Sequence, residues 1–163
     1  MVIAGNPLGL SHDIYRKVGQ YRHKVFVDTL GWNLHTTEGM ELDQFDRPDT
    51  LYIASQDEAG TINGCARLLP THRPYLLGEV FPELMQGQPI PCSPDIWELS
   101  RFAAVDFNAR GGSALAQFSS GIAVQLLRQA MACAAEHGAR RLITVSPIGI
   151  ERLLRHTGVH AHR

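Results

Sequence analysis

A strand, a long helix and a second strand follow one another in the second half of the chain, and this succession constrains the fold most. Residues 97–105 alternate as a strand does, and residues 141–146 form a second short apolar run. Between them, apolar residues at helical spacing mark one face of a helix that Gly138 ends: Leu115, Phe118, Ile122, Leu126, Ala130 and Ala134. Two strands joined by one helix pair in parallel, through a right-handed connection.

The first half of the chain predicts a helix and a hairpin that complete this unit. Ser11 caps a helix whose apolar positions are Ile14, Val18, Tyr21 and Val25, and Gly31 marks its end. Strands are predicted at 51–56 and 62–69, separated by a turn. The polar segment 32–50 and the proline-rich segment 70–96 are predicted as irregular, and residues 148–156 as a short helix. We therefore expect one α/β domain over residues 1–163, with a mixed central sheet flanked by helices.

Composition restricts the possible partners of the chain. The 163 residues are 44% hydrophobic and 19% charged, with a net charge of −1, which argues against nucleic acid as a partner. No apolar run is long enough to span a membrane, and cysteines and histidines show no metal-ligand spacing. Three scattered cysteines and no signal peptide favour a reducing cytoplasm. From Arg128 onward arginines outnumber glutamates, so this part is either an ordinary solvated surface or a docking patch.

The strand at 97–103 carries ionisable side chains on both of its faces. Strict alternation places Arg101 with Trp97 and Leu99, and Glu98 with Ser100 and Phe102. Buried charges cost several kcal/mol unless they are paired. The chain offers partners elsewhere: Glu41, Asp43, Asp46 and Arg67. Several carboxylates with two arginines indicate a site that handles a charged substrate.

Four blocks of residues, taken in order, resemble the N-acyl-homoserine lactone synthases, the autoinducer synthases of bacterial quorum sensing. The matching residues are Arg22, Phe26 and Trp32, then Glu41, Asp43 and Asp46, then Arg67, and finally Glu98 with Arg101. The resemblance runs from about residue 15 to residue 158 and implies a GNAT-like acyltransferase architecture. Family members usually continue for a few dozen residues further, so we expect closing strands of the acyl pocket to be missing here.

The resemblance implies a reaction between S-adenosylmethionine, which is a substrate and not a cofactor, and an acyl group on acyl carrier protein. The methionine amine attacks the thioester, and the methionine carboxylate then displaces methylthioadenosine. Glu98 is the predicted base, acting through a water, with Asp43 and Asp46 as contributors. An ion pair is the alternative role for Glu98. The resemblance places Arg22, Phe26 and Trp32 at the substrate cleft.

Arginines and apolar residues take the remaining predicted roles. Arg67 and Arg101 either clamp Asp43 and Asp46 or hold the methionine carboxylate. By resemblance Thr144 faces an apolar acyl tunnel, to which Leu99 and Phe102 contribute. A glycine-rich acetyl-coenzyme A turn is not clearly present, which favours acyl carrier protein as the donor. The predicted docking residues for this acidic partner are Arg128, Arg140, Arg141, Arg152 and Arg155, with Arg110 nearby.

Two other functions stay open at this point. One is a GNAT-type N-acyltransferase that acts on another amine. The other is a non-catalytic acyl-carrier-binding module, although such a binder has no need of the charged cluster. The sequence does not specify acyl chain length, substitution at the acyl β-carbon, the order of the two steps or the oligomeric state.

Overall fold

The computed structural model describes residues 1–108, 121–146, 154–155 and 158–162. The strands are β1 (Val2–Gly5), β2 (Thr36–Thr37), β3 (Met40–Glu41), β4 (Leu51–Gln56), β5 (Ile62–Pro70), β6 (Ile96–Ala103) and β7 (Arg141–Ile143). The helices are α1 (His12–Arg22), a π-helix (His23–Thr29), α2 (Leu76–Val80), a 3₁₀-helix (Pro82–Met85) and α3 (Gly121–Glu136). Within these described ranges, no helix combines the length and apolarity needed to cross a membrane.

The central sheet is mixed, as predicted. Its strand order is β1-β4-β5-β6-β7, with antiparallel neighbours throughout except for the parallel pair β6 and β7. Helix α3 connects that parallel pair, which confirms the predicted crossover. Strand β7 is shorter than expected, since residues 144–146 follow it without strand structure. The predicted helical positions 115 and 118, and most of the predicted helix 148–156, lie outside the described residues.

Apolar side chains cover both faces of the sheet. On one face Tyr52 and Cys65 pack with Val18 and Phe26 from the N-terminal helices. The opposite face packs against α3 through a second buried cluster: Leu51, Ile53, Ala66, Leu68, Trp97, Leu99, Leu126, Leu127, Ala130, Cys133 and Ala134. This alternation is the period-two pattern of strands buried on both sides. The sheet therefore presents separate α1 and α3 faces.

Strand β6 departs from the predicted alternation at Arg101. Cys65 lies opposite Ala103 while Arg67 lies opposite Ser100, so β6 contains one extra residue there, a β-bulge. Arg101 adopts a φ of 51°, in the left-handed region. The prediction that Arg101 shares a face with Trp97 and Leu99 was wrong. The bulge turns its side chain to the α1 face, and Phe102 packs against the α3-face cluster instead.

The N-terminal segment is more ordered than predicted. Ser11 caps α1 by accepting a hydrogen bond from the Ile14 N–H at 3.2 Å, as expected. The helix then changes to π-helical geometry before Gly31. Strands β2 and β3 form a hairpin within the segment predicted as a loop. Glu38 and Gly39 join them with φ values of 53° and 72°, the combination that a two-residue type I′ turn requires. Strand β1 was not predicted.

Candidate active site

Arg22 lies at the centre of a buried ion-pair network on the α1 face. Its Nε donates to Glu41 at 2.7 Å, and its two terminal nitrogens donate to Asp46 at 2.6 and 3.0 Å. Only 1% of the Arg22 residue is exposed. Because α1 ends at Arg22, these bonds join the helix to the segment after the β2–β3 hairpin. This position favours a role in holding carboxylates over direct contact with a substrate.

Arg67 and Arg101 extend the network to the sheet. Arg67 Nη1 donates to Asp43 at 2.6 Å and lies 3.3 Å from Asp46. Arg101 donates to both oxygens of Glu41, at 3.1 and 3.0 Å, and to Asp43 at 3.0 Å. The clamp on Asp43 and Asp46 that the sequence suggested is therefore present in the fold. Three guanidinium groups balance three carboxylates.

One donor in this network has no described partner. Arg67 Nε donates to Ser100 Oγ at 3.1 Å, but Arg67 Nη2 is buried without a hydrogen bond to any described residue. An unsatisfied buried donor costs about 1–3 kcal/mol. Ser100 lines an adjacent cleft. Arg67 Nη2 is therefore a hydrogen-bond donor without a described partner, close to the wall of the cleft.

The carboxylates of this region differ in pKa because their surroundings differ. Burial opposes ionisation of Asp46, but the Arg22 guanidinium outweighs burial and lowers the Asp46 pKa below its ordinary value. The Glu41 pKa is also lowered, because hydrogen bonds and charge from Arg101 and Arg22 outweigh its burial. Tyr52 donates its hydroxyl to Asp46 at 2.6 Å, and burial together with that carboxylate raises the Tyr52 pKa. Asp46 and Glu41 are thus poor proton acceptors at neutral pH.

Glu98 has the opposite electrostatic character. The residue is completely buried, and its two carboxylate oxygens accept the backbone N–H groups of Leu76 and Leu77 at 2.9 and 2.8 Å. Burial raises the Glu98 pKa above its ordinary value of 4.5, despite these hydrogen bonds and the charges of Arg67 and Arg101. Glu98 forms no ion pair with any residue that the structure describes. A carboxylate with a raised pKa is better suited to accept a proton.

An aromatic pair lies beside the charged network. Phe26 in the π-helix stacks on Trp32, with ring centroids 5.0 Å apart and an interplanar angle of 27°. The Arg101 guanidinium lies 5.6 Å from the Phe26 ring centroid. Phe26 is buried, whereas 44% of Trp32 is exposed. Single turns of π-helix are frequent at functional sites.

A cleft of about 2350 Å³ joins this polar region to an apolar one. Phe26, Trp32, Glu41, Asp43 and Arg101 line the polar end. Much of the remaining wall is apolar, and it includes Leu76, Leu77, Phe81, Met85, Leu127 and Leu142. The predicted residues Phe102 and Thr144 both line the cleft, Thr144 from a position just after β7. Arg22, Asp46, Arg67 and Glu98 are not part of its surface.

The edge of β6 opens into the same cleft. Pairing with β7 stops at Glu98, although β6 continues to Ala103. Residues 99–102 all line the cleft and have no strand partner on that side among the described residues. The backbone polar groups of these residues that do not face β5 are available to a ligand with amide groups.

Some features of this site carry no local sequence signal. Tyr52 is part of an apolar strand, and only the β4–β5 register, which places it opposite Arg67, brings its hydroxyl to Asp46. Ser100 likewise joins the site through the hydrogen bond that it accepts from Arg67, which the pattern of its own strand does not indicate. In the part of the chain that the structure describes, no group of three His, Cys, Asp or Glu residues could hold a metal ion.

The predicted basic patch is partly described. Arg128, Arg140, Arg141 and Arg155 are exposed, and Arg152 and Arg110 lie outside the described residues. Arg140 and Arg141 line one end of the cleft, next to β7. Arg141 lies 3.9 Å from Asp95, a surface pair worth little energy.

The sheet, its flanking helices and the cleft beside β6 have the architecture of GNAT-like acyltransferases. An acyl-CoA N-acyltransferase from Pseudomonas aeruginosa superposes with a TM-score of 0.62 over 100% of this chain and 90% of that chain. The two sequences are 15% identical, so this likeness shows the fold alone.

Within that class, the chain belongs to the autoinducer synthase family, whose profile matches residues 9–163. The acyl-homoserine-lactone synthase of Acinetobacter nosocomialis is 52% identical over 162 residues, which are 99% of this chain and 88% of that protein. The chain is an enzyme of this kind, an acyltransferase, and the family resemblance read from the sequence is confirmed.

Two solved structures show what related proteins bind. TofI, in a ternary complex with an inhibitor and MTA, is 44% identical with a TM-score of 0.84, over 100% of this chain and 81% of that chain. BjaI, described as a CoA-dependent acyl-homoserine lactone synthase with SAM and isopentyl-CoA, is 25% identical with a TM-score of 0.82. That match covers 97% of this chain and 72% of the BjaI chain.

Proposed function

We propose that this enzyme makes N-acyl-L-homoserine lactones from S-adenosylmethionine and an acyl thioester carried on acyl carrier protein. The substrate amine attacks the thioester carbonyl, a C–N bond forms and the carrier thiol leaves. The substrate carboxylate then attacks the γ-carbon of the same amino acid, a C–O bond forms, and the bond from that carbon to the sulfonium sulfur breaks, which closes the lactone and releases methylthioadenosine. The observation that carries this proposal is one cleft with a charged aromatic end and an apolar end.

The polar end suits a cationic amino-acid substrate. The three arginines and three carboxylates balance, so an ionised Glu98 leaves the region with one excess negative charge. A sulfonium cation is stabilised by that charge and by the face of an aromatic ring, which Trp32 exposes to the cleft. The spare Arg67 Nη2 beside Ser100 is a donor for the substrate carboxylate or for an ordered water.

Glu98 is our proposed base for the substrate amine. A free α-amino group has a pKa of about 8, so it must lose a proton before it attacks. Glu98 is the carboxylate of this region whose pKa is raised, whereas those of Asp46 and Glu41 are lowered. Because Glu98 lies behind the cleft wall, the proton must reach it through a water. Asp43, with 14% of its side chain exposed, contributes charge at the surface of the cleft.

The acyl thioester fits the rest of the cleft. Its hydrocarbon tail suits the apolar wall that includes Leu77, Phe102 and Thr144. The amide groups of a pantetheine arm can pair with the open edge of β6. This arm is common to acyl carrier protein and coenzyme A, so it does not separate the two donors.

The exposed arginines support the carrier protein as the donor. Arg140 and Arg141 lie where the cleft reaches the surface, and an acidic carrier would meet them there. BjaI, which is described as CoA-dependent, makes an acyl-CoA donor the alternative.

Product analysis separates these functions. Purified protein is incubated with S-adenosylmethionine and either octanoyl carrier protein or octanoyl-CoA, and mass spectrometry quantifies lactone and methylthioadenosine. The proposed reaction predicts that the two products form in equal amounts. A higher kcat/KM with the carrier supports our donor assignment, and a higher value with octanoyl-CoA overturns it. Acylation of another amine without S-adenosylmethionine would indicate a general N-acyltransferase. Carrier binding without turnover would indicate a binding module.

A second experiment tests whether the basic patch binds the acyl carrier protein. Charge reversal of Arg140 or Arg141 should raise the KM for the carrier, with little change in kcat at saturation. The effect should shrink at high salt, because exposed charges are screened beyond about 8 Å at physiological ionic strength. An unchanged carrier KM at low salt would place docking on another face. Charge reversal of Arg16, which is exposed on α1, is the control.

A further inference from the structure

Helix α2 depends on a carboxylate from another element for its N-terminal cap. The helix has five residues, Leu76–Val80, and the side chain of its own N-cap residue, Tyr75, forms no hydrogen bond with the start of the helix. Glu98 of β6 accepts the first two helical N–H groups instead, one on each carboxylate oxygen. A helix this short is not stable alone, so its position is set by what it contacts.

Glu98 is a rigid anchor for this helix. It is completely buried in a strand that is paired on both sides at that position, to Leu69 of β5 and to Ile143 of β7. Leu77 adds packing against Leu69 and Phe45. The packing is apolar and non-directional, whereas the paired hydrogen bonds specify both the direction and the distance of the helix start.

Helix α2 forms part of the apolar wall of the cleft. Leu76, Leu77 and Val80 all line the cleft, and Phe81 follows directly. A displacement of the helix start moves these side chains into the cleft or away from it. The depth available to a hydrocarbon tail therefore depends on where Glu98 holds the helix.

We propose that Glu98 has a second role as a positioning residue, which fixes α2 and thereby sets the range of acyl chain lengths that the enzyme accepts. This inference rests on the proposed function, because it concerns the acyl part of the same cleft. It differs from the role of base, which acts at the amine. Loss of a base slows all donors by the same factor, whereas a moved wall changes the ratio between donors.

A substitution in α2 tests the wall without touching the carboxylate. Leu76→Pro removes one of the two N–H donors to Glu98. Proline is tolerated at the first helical position, and Tyr75 already has the extended backbone, φ −144° and ψ 167°, that a residue before proline adopts. Leu76→Ala is the matched control, since it shortens the side chain but keeps the N–H. Both are compared with wild type.

The measurement is a competition among butanoyl, octanoyl and dodecanoyl donors, with the lactones quantified by mass spectrometry. Leu76→Pro should change the ratio of kcat/KM between donors about tenfold relative to Leu76→Ala, since each methylene in an apolar pocket contributes at least that order of discrimination. Glu98→Gln has one acceptor oxygen where Glu98 has two, and should shift the ratio in the same direction while lowering every rate.

Unchanged donor ratios in Leu76→Pro relative to Leu76→Ala would overturn the inference. If Leu76→Pro does not fold, as judged by thermal unfolding, the ratio in Glu98→Gln decides, and a uniform loss across donors would refute the second role. Failure of the proposed function looks different, because wild-type enzyme would then form no lactone from any of the three donors.

Discussion

Replacement of Arg22 by methionine tests the buried ion-pair network most directly. Methionine provides an unbranched apolar side chain in place of the arginine stem but removes three hydrogen bonds to Glu41 and Asp46. Removing one partner of a buried ion pair costs about 3–5 kcal/mol, because the remaining charge stays buried. Arg101 still bonds Glu41, and Tyr52 still bonds Asp46, so neither carboxylate is left alone. We expect a loss of about 3–5 kcal/mol in the free energy of unfolding.

The assay is urea and thermal unfolding of Arg22→Met beside Arg16→Met as a matched control. Arg16 lies on the same helix, but its side chain is 48% exposed and, among the described residues, it bonds only to Asp13, at 3.4 Å. The control should change stability by less than about 0.5 kcal/mol. In a chain of this size each kcal/mol shifts the Tm by about 2–4 °C, so Arg22→Met should unfold about 6–20 °C lower. Equal losses in the two variants would refute the network as a source of stability.

The pH dependence shows whether charge causes the loss. Asp46 and Glu41 have lowered pKa values in the folded state, so their stabilising contribution is present above about pH 4. That contribution is lost as the pH falls through the lowered values. In Arg22→Met that cation is gone, and protonation of Glu41 and Asp46, which lose their hydrogen bonds from Arg22, relieves the penalty. The difference between wild type and Arg22→Met should therefore be largest at neutral pH and shrink in acid. A difference that is independent of pH would indicate lost packing instead.

Three further predictions address the base, the aromatic pair and the hairpin. Glu98→Gln should lower kcat by about 10²–10⁴-fold and remove the acidic limb of the rate profile. In wild type that limb should lie above pH 4.5, because burial raises the Glu98 pKa; a limb that persists in the variant would assign it to another group. Trp32→Ala should raise the KM for S-adenosylmethionine about two- to tenfold, while Trp32→Phe keeps most of the affinity, in line with aromatic contact energies. Equal KM values in Trp32→Ala and Trp32→Phe would show that the aromatic ring does not contribute to the binding of S-adenosylmethionine. Gly19→Ala should lack the gain of about 1 kcal/mol expected in a helix, because its Cβ would lie 3.1 Å from Met40 Cβ. In a Met40→Gly background, which lacks that Cβ, Gly19→Ala should show the gain in urea unfolding, and no gain there would show that the contact with Met40 is not the cause.

Local sequence patterns determined the type of most secondary-structure elements. Periodicities of two and of about three and a half residues identify strands and helices without knowledge of the fold, so β4, β5, β6 and α1 lie close to their predicted positions. The charged blocks also predicted an ion-pair cluster, and Arg67, Arg101, Asp43 and Asp46 meet as expected. Their spacing along the chain was sufficient for the family assignment.

Only the tertiary structure decided which groups face each other. The alternation of β6 breaks at Arg101 because the pairing of β6 with β5 includes a bulge, and the sequence of β6 does not predict that bulge. Glu98 meets the N–H groups of Leu76 and Leu77 across more than twenty residues of sequence. Such contacts depend on how separate elements pack, whereas periodicity reports only each element's own geometry. The sequence by itself therefore determined the elements and the charged residues of the site, and the fold decided which carboxylates are paired with arginines and which one, Glu98, bonds backbone N–H groups instead.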